Sequence, residues 1–296
     1  MRILFCDSGF SPKEVDYMYQ EEYEAVKAAS IPCSLISFEA LKKGHLETAL
    51  KFVRSVAKKE AAIYRGWMLS KTQYDLLYKA LLAKNIQLIN TPEEYAFCHY
   101  FPNSYKTIQD ITPKSIFKPL EKPFDIEDFR EDLKIFGKQA IIVKDYVKSQ
   151  KHYWKEACFI PDASDLENVE KITRRFIELQ EVDLNVGLVY RAFVALEHLS
   201  EHSVSGMPLT KEFRILVKDG KVIQAFNYWD EGDYEAISPN LSFLDSVITL
   251  IKSNFFSVDI AQQKNGQWII VELGDGQVSG LPDNADKVAF YESLFL

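Results

Sequence analysis

Residues 255–275 read FFSVDIAQQKNGQWIIVELGD, and their pattern decides the fold of the last third of the chain. Two apolar runs, 255–261 and 268–273, flank the turn pair Asn265-Gly266, which predicts a β-hairpin. Each arm carries one carboxylate among apolar neighbours: Asp259 in Val258-Asp259-Ile260, Glu272 in Val271-Glu272-Leu273. Like charges facing across a hairpin repel, so a facing pair needs a counter-ion, while two carboxylates on a solvated face do not. Just upstream, 213–217 and 221–228 around Asp219-Gly220 predict another hairpin, and Arg214 in Glu212-Phe213-Arg214-Ile215 offers a cation to the acids or to a phosphate. Between the hairpins, 241–252 has helical spacing.

Working outward, two earlier apolar runs each end in lysine: Lys118 closes 115–118 and Lys144 closes 140–144. A lysine ending a buried strand must bring its ammonium to water or to an anion. Two of them on neighbouring strands predict a polyphosphate cradle, and two snorkelling lysines at a sheet edge are the plainer alternative. A strand at 154–160, a helix from Ser164 (N-cap, with Glu167 three residues on) to Gln180, and an apolar strand at 187–196 complete this part.

The first ninety residues alternate instead. Strands at 3–6, 33–38, 61–64 and 86–89 are separated by helices at 13–30, 46–57 and 71–84, which predicts a parallel sheet covered on both faces. Asp7, Ser8, Gly9, Arg65, Gly66 and Trp67 sit at carboxyl ends of strands, where such sheets gather ligands. Arg65 reads either as a substrate-carboxylate contact or as a surface ion pair. Residues 91–114, with Pro92, Pro102 and Pro113, read as a boundary. The expected organisation is an α/β domain over 1–90, a linker over 91–114, and an α+β domain over 115–296.

Composition bounds the rest. The chain has 296 residues, 47% of them hydrophobic and 26% charged, which excludes global disorder and low-complexity scaffolds. Net charge is −8, so bulk charge supplies no basic face for duplex nucleic acid. Cys6, Cys33, Cys98 and Cys158 form no C-x-x-C and read as reduced thiols. The start MRILFCDSGF is too short an apolar run for a signal-peptide core, and no stretch is long enough to span a bilayer, so a cytoplasmic protein is expected. Among the histidines, His152, His198 and His202 read as loop or surface residues.

The order strand-Lys, strand-Lys, apolar strand, E-F-R-hydrophobic, then D-I-A…W-I-I-V-E resembles the ATP-grasp superfamily. The segments IIVKDYVKSQKHYW, KEFRILVKDGKVI and VDIAQQKNGQWIIVELGDGQVSGLP most resemble its R2K clade. The resemblance covers residues 91–296 and implies two α+β subdomains that clamp ATP, with the α/β block as the domain that precedes them. It implies that Lys118 and Lys144 hold nucleotide phosphates, with Lys148 and Ser149 in place of a glycine-rich loop that this chain lacks. It places Arg191, Ala192 and Val194 on the strand that reads the adenine edge, and Glu212 (or, less well matched, Glu197) on the ribose. Arg214, with Lys148, is implied to stabilise the transferring phosphoryl group, and Asp259 and Glu272 to bind Mg2+. The usual E-x-N continuation is absent, which leaves Asp275 as a displaced third ligand or only two ligands. The implied activity is an ATP-dependent carboxylate–amine ligase acting on small-molecule or peptide substrates. A nucleotide-binding module without turnover and a kinase-like phosphoryl transferase are the alternatives.

Overall fold

The computed structural model describes residues 1–201, 203, 208–234 and 239–295, so His202 lies outside the described residues. Four short apolar strands open the chain: β1 (Arg2–Cys6), β2 (Cys33–Ile36), β3 (Glu60–Arg65) and β4 (Ile86–Leu88). They pair in parallel in the order β2-β1-β3-β4, as the alternation with helices requires. The first helix is shorter than its pattern, Gln20–Ala28, because Val15 bridges to Asp7 and Asp16 caps a 3-10 turn ahead of it. The expected helix over 46–57 is reduced to one turn, Leu46–Ala49, and a further short helix, Phe38–Lys42, precedes it.

Residues 91–114 are not an irregular connector. They carry the helices Pro92–His99 and Phe101–Ile108. Pro92 stands in the first turn, where its missing N–H costs nothing, and Thr91 and Glu94 form a reciprocal capping box.

A second sheet follows, built from β5 (Ser115–Pro119), β6 (Ile141–Asp145), β7 (Phe159–Ile160) and β8 (Gly187–Ala192), antiparallel in the order β5-β8-β6-β7. The segment 154–160 splits into a helical turn, Trp154–Ala157, and β7. The helix Leu166–Gln180 is capped by Asp165, one residue after the expected Ser164. One sheet face, with Ile141, Val143, Leu188 and Tyr190, packs on Val169, Ile172 and Phe176 of that helix.

β9 (His198–Glu201) and β10 (Pro208–Thr210) form a small ribbon, followed by β11 (Glu212–Lys218), β12 (Lys221–Asn227), β13 (Phe255–Gln262) and β14 (Trp268–Asp275). The last four make an antiparallel sheet ordered β12-β11-β13-β14. Asp219 and Gly220 both have positive φ (50° and 74°), the geometry a two-residue hairpin turn demands. Residues 241–252 hold only a 3-10 turn and the helical turn Asp245–Ile248. One face of this third sheet, with Phe213, Ile215, Val258, Ile260 and Leu273, packs against Ala96, Phe101 and Ile108 of the two helices after residue 91. Part of its other face joins Phe5 and Ile63 of the first sheet through Leu216, Phe255, Phe290 and Tyr291. Among the described residues no helix is long and apolar enough to cross a membrane.

Candidate functional site: a charged face between two antiparallel sheets

Register sets the site. Arg214 on β11 lies opposite Asp259 on β13, which lies opposite Glu272 on β14, so the three share one face in a single row. Beyond that row, Ile260 faces Ile270, so Val271 is an extra residue in β14. This bulge lets Ile270 turn into the core while Glu272 stays on the charged face. Arg214 donates from Nε and Nη2 to both Asp259 oxygens at 2.8 Å, and from Nη1 to the Gly280 carbonyl at 2.8 Å. The bidentate pair raises the Arg214 pKa against the effect of burial.

Lys144 reaches across from β6 and forms an ion pair with Glu272. Burial pushes the Glu272 carboxyl up, but Lys144, then Lys151 and Arg191, outweigh it and hold it below the usual carboxylate range. Thus the facing carboxylates have their counter-ions, one from each sheet. Behind Lys144, buried Asp145 organises the loop: one oxygen accepts from the Val147 and Lys148 amides, the other from Gln180 and Asn185. Lys148 is exposed on this loop and Ser149 half-buried.

Lys118 is not brought to Lys144. Lys118 and Asp145 both face Leu188 of β8, whereas Lys144 faces Val189, so the two lysines occupy opposite faces of their sheet. Lys118 instead pairs with Asp132 at 2.5 Å and lies over Phe129. Arg191 shares the face of Lys144, but its guanidinium brackets edge strand β14, donating to the Val271 and Ile270 carbonyls and to Thr112. The Ala192 and Phe193 amides donate to the Lys114 and Ala140 carbonyls. Val194 lines a separate cavity of about 560 Å³ with Thr112, Phe243 and Trp268. Glu212, buried, accepts from Thr210; burial raises its pKa while Lys151 opposes the rise.

Asp275 is also kept away from the acids. Three residues on from Glu272 it points to the opposite face, fully buried, accepting from Asn90 (2.6 Å) and from the backbone (3.0 Å) and side chain (3.2 Å) of Gln277. At Gly274, the position of the missing asparagine, a Cβ would lie 2.7 Å from Ser257 Oγ and 2.9 Å from Ser279 Oγ. Two hydroxyls therefore fill the space a third side-chain ligand would need. Among the described residues no group of three or more His, Cys, Asp or Glu side chains is placed to hold a metal ion. Asp259 and Glu272 on one face, with hydroxyl oxygens beside them, form a hard-oxygen set that fits Mg2+, which takes few protein carboxylates and leaves positions for phosphates and water.

Arg65 is neither a substrate contact nor a surface pair. It is 1% exposed, chelates Glu22 through two 2.8 Å bonds, and donates its Nη1 to the carbonyls of Gly276, Gln277 and Ser279. Glu22 also accepts from Tyr291. The first unit thereby fixes the loop that carries Ser279 and Gly280 into the site.

Two site residues escaped the sequence reading. His99, buried and stacked on Tyr95 with ring centroids 4.8 Å apart, lines a cavity with Met68, Arg214, Asp259 and Glu272. Lys151 lies over Tyr228 and Trp229 at the end of β12. Burial pushes the His99 imidazole from 6.5 down to about 4, with Lys148 and Lys144 adding to it against Glu272. Below pH 6.5 the unfolded chain therefore takes up a proton that the folded chain refuses, and folding stability falls as the pH drops towards 4. This one group contributes up to ~3 kcal/mol to that loss. Urea denaturation between pH 4 and 8 checks it: His99→Phe, which keeps the ring stack, should flatten this part of the profile, and a variant slope equal to the wild type's would contradict it.

A parallel-sheet unit followed by two antiparallel sheets, with basic and acidic side chains meeting between them, defines an ATP-grasp fold. The chain belongs to the ATP-grasp domain family R2K clade family 3, whose match spans residues 134–294. Its fold is similar to that of a RimK-domain ATP-grasp protein from Sphaerobacter thermophilus (14% identity, TM-score 0.59, covering 100% of this chain and 99% of that one). It is also similar to the ATP-grasp ligase PsnB, solved with a minimal precursor (15% identity, TM-score 0.58, 99% and 98% covered). The D-alanine-D-alanine ligase from Coxiella burnetii gives 10% identity and a TM-score of 0.60, with 99% and 90% covered. No functionally curated protein matches this chain in sequence.

Proposed function

We propose that the chain is an ATP-dependent ligase that joins a carboxylate to an amine through an acyl phosphate. The observation that carries this reading is the row Arg214–Asp259–Glu272 facing Lys144 across two sheets. The fold family and the ATP-grasp ligase PsnB and D-alanine-D-alanine ligase among its structural neighbours support it. In this reading a substrate carboxylate oxygen attacks the γ-phosphorus of ATP, ADP leaves, and an amine then displaces phosphate from the acyl carbon. Asp259 and Glu272 would hold Mg2+, which supplies charge neutralisation for the transferring phosphoryl group. Lys144, released from Glu272, neutralises phosphate oxygens; Arg214, oriented by the Gly280 carbonyl, faces the charge that develops during transfer. Lys148 and Ser149 reach the nucleotide from the Asp145-anchored loop, and Glu212 lies on the same sheet face as Arg214 for a ribose contact. The amides of Ala192 and Phe193 are already bonded to Lys114 and Ala140, so the contact to the base is assigned to the backbone of Val194. We assign no phosphate role to Lys118 and no metal role to Asp275. The reading carries a cytoplasmic setting and places residues 1–90 as a preceding domain.

ADP release with a library of amino acids and short peptides, offered as carboxylate and amine together, tests the reading. The expected result is substrate-dependent ADP with an amide product. ATP binding without turnover across the library would instead favour a binding module, and a phosphate ester a kinase-like enzyme.

A further inference from the structure

The loop after β6 holds a cation that the site above leaves unused. Its base is fixed by Asp145, and Gln150 is pinned to the following helix through Gln180 at 2.6 Å. The next residue, Lys151, opens a 3-10 turn, Lys151–Tyr153, and carries its ammonium across to the other sheet. There it lies 5.5 Å from the Tyr228 ring centre and 5.8 Å from that of Trp229. Arg214 lies over the same Tyr228 ring at 5.0 Å, so the ring has the phosphoryl-facing arginine and the loop lysine as neighbours.

Lys151 has no carboxylate within ion-pair distance among the described residues, although Glu212, Glu272 and Asp259 act on it electrostatically. A lysine in such an acidic surround, resting on two aromatic faces instead of an acid, is held only weakly. An incoming polyphosphate is a stronger partner for it, because a charge-assisted bond to phosphate exceeds a cation–π contact.

Resting on the nucleotide reading of this site, we infer that Lys151 is the loop's phosphate-contacting residue. It parks on Tyr228 and Trp229 in the free protein and transfers to the ATP phosphates, drawing residues 149–153 over the cleft. This makes Lys151, whose ammonium already reaches the other sheet, the substitute for a glycine-rich lid beside Lys148: a side chain supplies the donors that backbone amides would otherwise provide. Tyr228 and Trp229 act as its resting surface.

Lys151→Met tests this, since methionine keeps the stem and its contact with the rings but removes the charge. Wild type and variant are titrated calorimetrically with Mg·ATP and with adenosine, and tryptophan emission is followed alongside, with Trp229→Phe to assign the signal. The expected result is adenosine affinity equal within about twofold and Mg·ATP affinity reduced by about tenfold or more in the variant, the loss of one charge-assisted phosphate contact. ATP should change the Trp229 emission of the wild type and leave that of Lys151→Met unchanged. A variant that loses adenosine and ATP affinity alike marks Lys151 as structural and overturns the inference. Equal ATP affinity in wild type and variant overturns it while leaving the nucleotide reading intact. A folded wild type that binds neither ligand overturns both.

Discussion

Replacing Arg65 by methionine is expected to lower folding stability by about 3–5 kcal/mol, the usual cost of leaving one partner of a buried ion pair alone. The arginine is 1% exposed, and all of its donor nitrogens are engaged, to Glu22 and to three carbonyls of the loop after β14. Removing it strands the buried Glu22 carboxylate, which keeps only the Tyr291 hydroxyl. It also frees the carbonyls that hold residues 276–279 in place. The double variant Glu22→Leu/Arg65→Met should recover part of the loss, because a buried pair replaced by apolar side chains carries no orphaned charge. Urea denaturation at pH 7 measures both variants. A loss below about 1 kcal/mol for Arg65→Met, the range of an exposed pair, would show that this network does not hold the loop.

Asp259→Asn should lower substrate-dependent ADP formation by about 10²–10³-fold, comparable to removing one strong electrostatic contact to a transition state. The carboxylate does two things at once in the proposed site: it offers an oxygen to Mg2+ and it fixes Arg214 through two 2.8 Å bonds. Glu272→Gln removes an oxygen donor without touching Arg214. It is expected to raise the Mg2+ concentration needed for half-maximal rate by about tenfold, while Asp259→Asn lowers the rate even at saturating Mg2+. Initial rates across a Mg2+ series separate the two. Full rates in both variants would remove the carboxylates from the chemistry.

The charged row was legible in the sequence because the hairpins are marked and each arm carries one charge among apolar neighbours, whereas the bulge at Val271 that keeps Glu272 in the row left no mark. Asp219-Gly220 is a pair that tolerates positive φ at both positions, so β11 and β12 had one natural pairing. Lys144 was legible because an apolar run ending in lysine needs an outlet. Lys118 carried the same signature, yet its face depends on the pairing of β5 with β8, and register between distant strands leaves no mark in either segment. The displacement of Asp275 was readable in principle: an odd spacing from Glu272 along one strand already puts the two side chains on opposite faces. The helices over 92–108 were hidden by reading prolines as breakers when Thr91-x-x-Glu94 was a capping box. Arg65, His99 and Lys151 could not be found locally. Arg65 is defined by Glu22 and by a loop more than 200 residues away, His99 by the cavity beside Arg214, and Lys151 by aromatic rings on the other sheet.

The central claim, that Lys144 and the acids of β13 and β14 form a magnesium–nucleotide site, is tested most directly by calorimetric titration with a non-hydrolysable ATP analogue. Wild type and Lys144→Ala are compared, each with and without Mg2+. The account predicts binding to the wild type that depends on Mg2+ and weakens by about tenfold or more in Lys144→Ala, the loss of a charge-assisted phosphate contact. A well-folded wild type that binds no analogue, or binds it equally without Mg2+ and without Lys144, would contradict it.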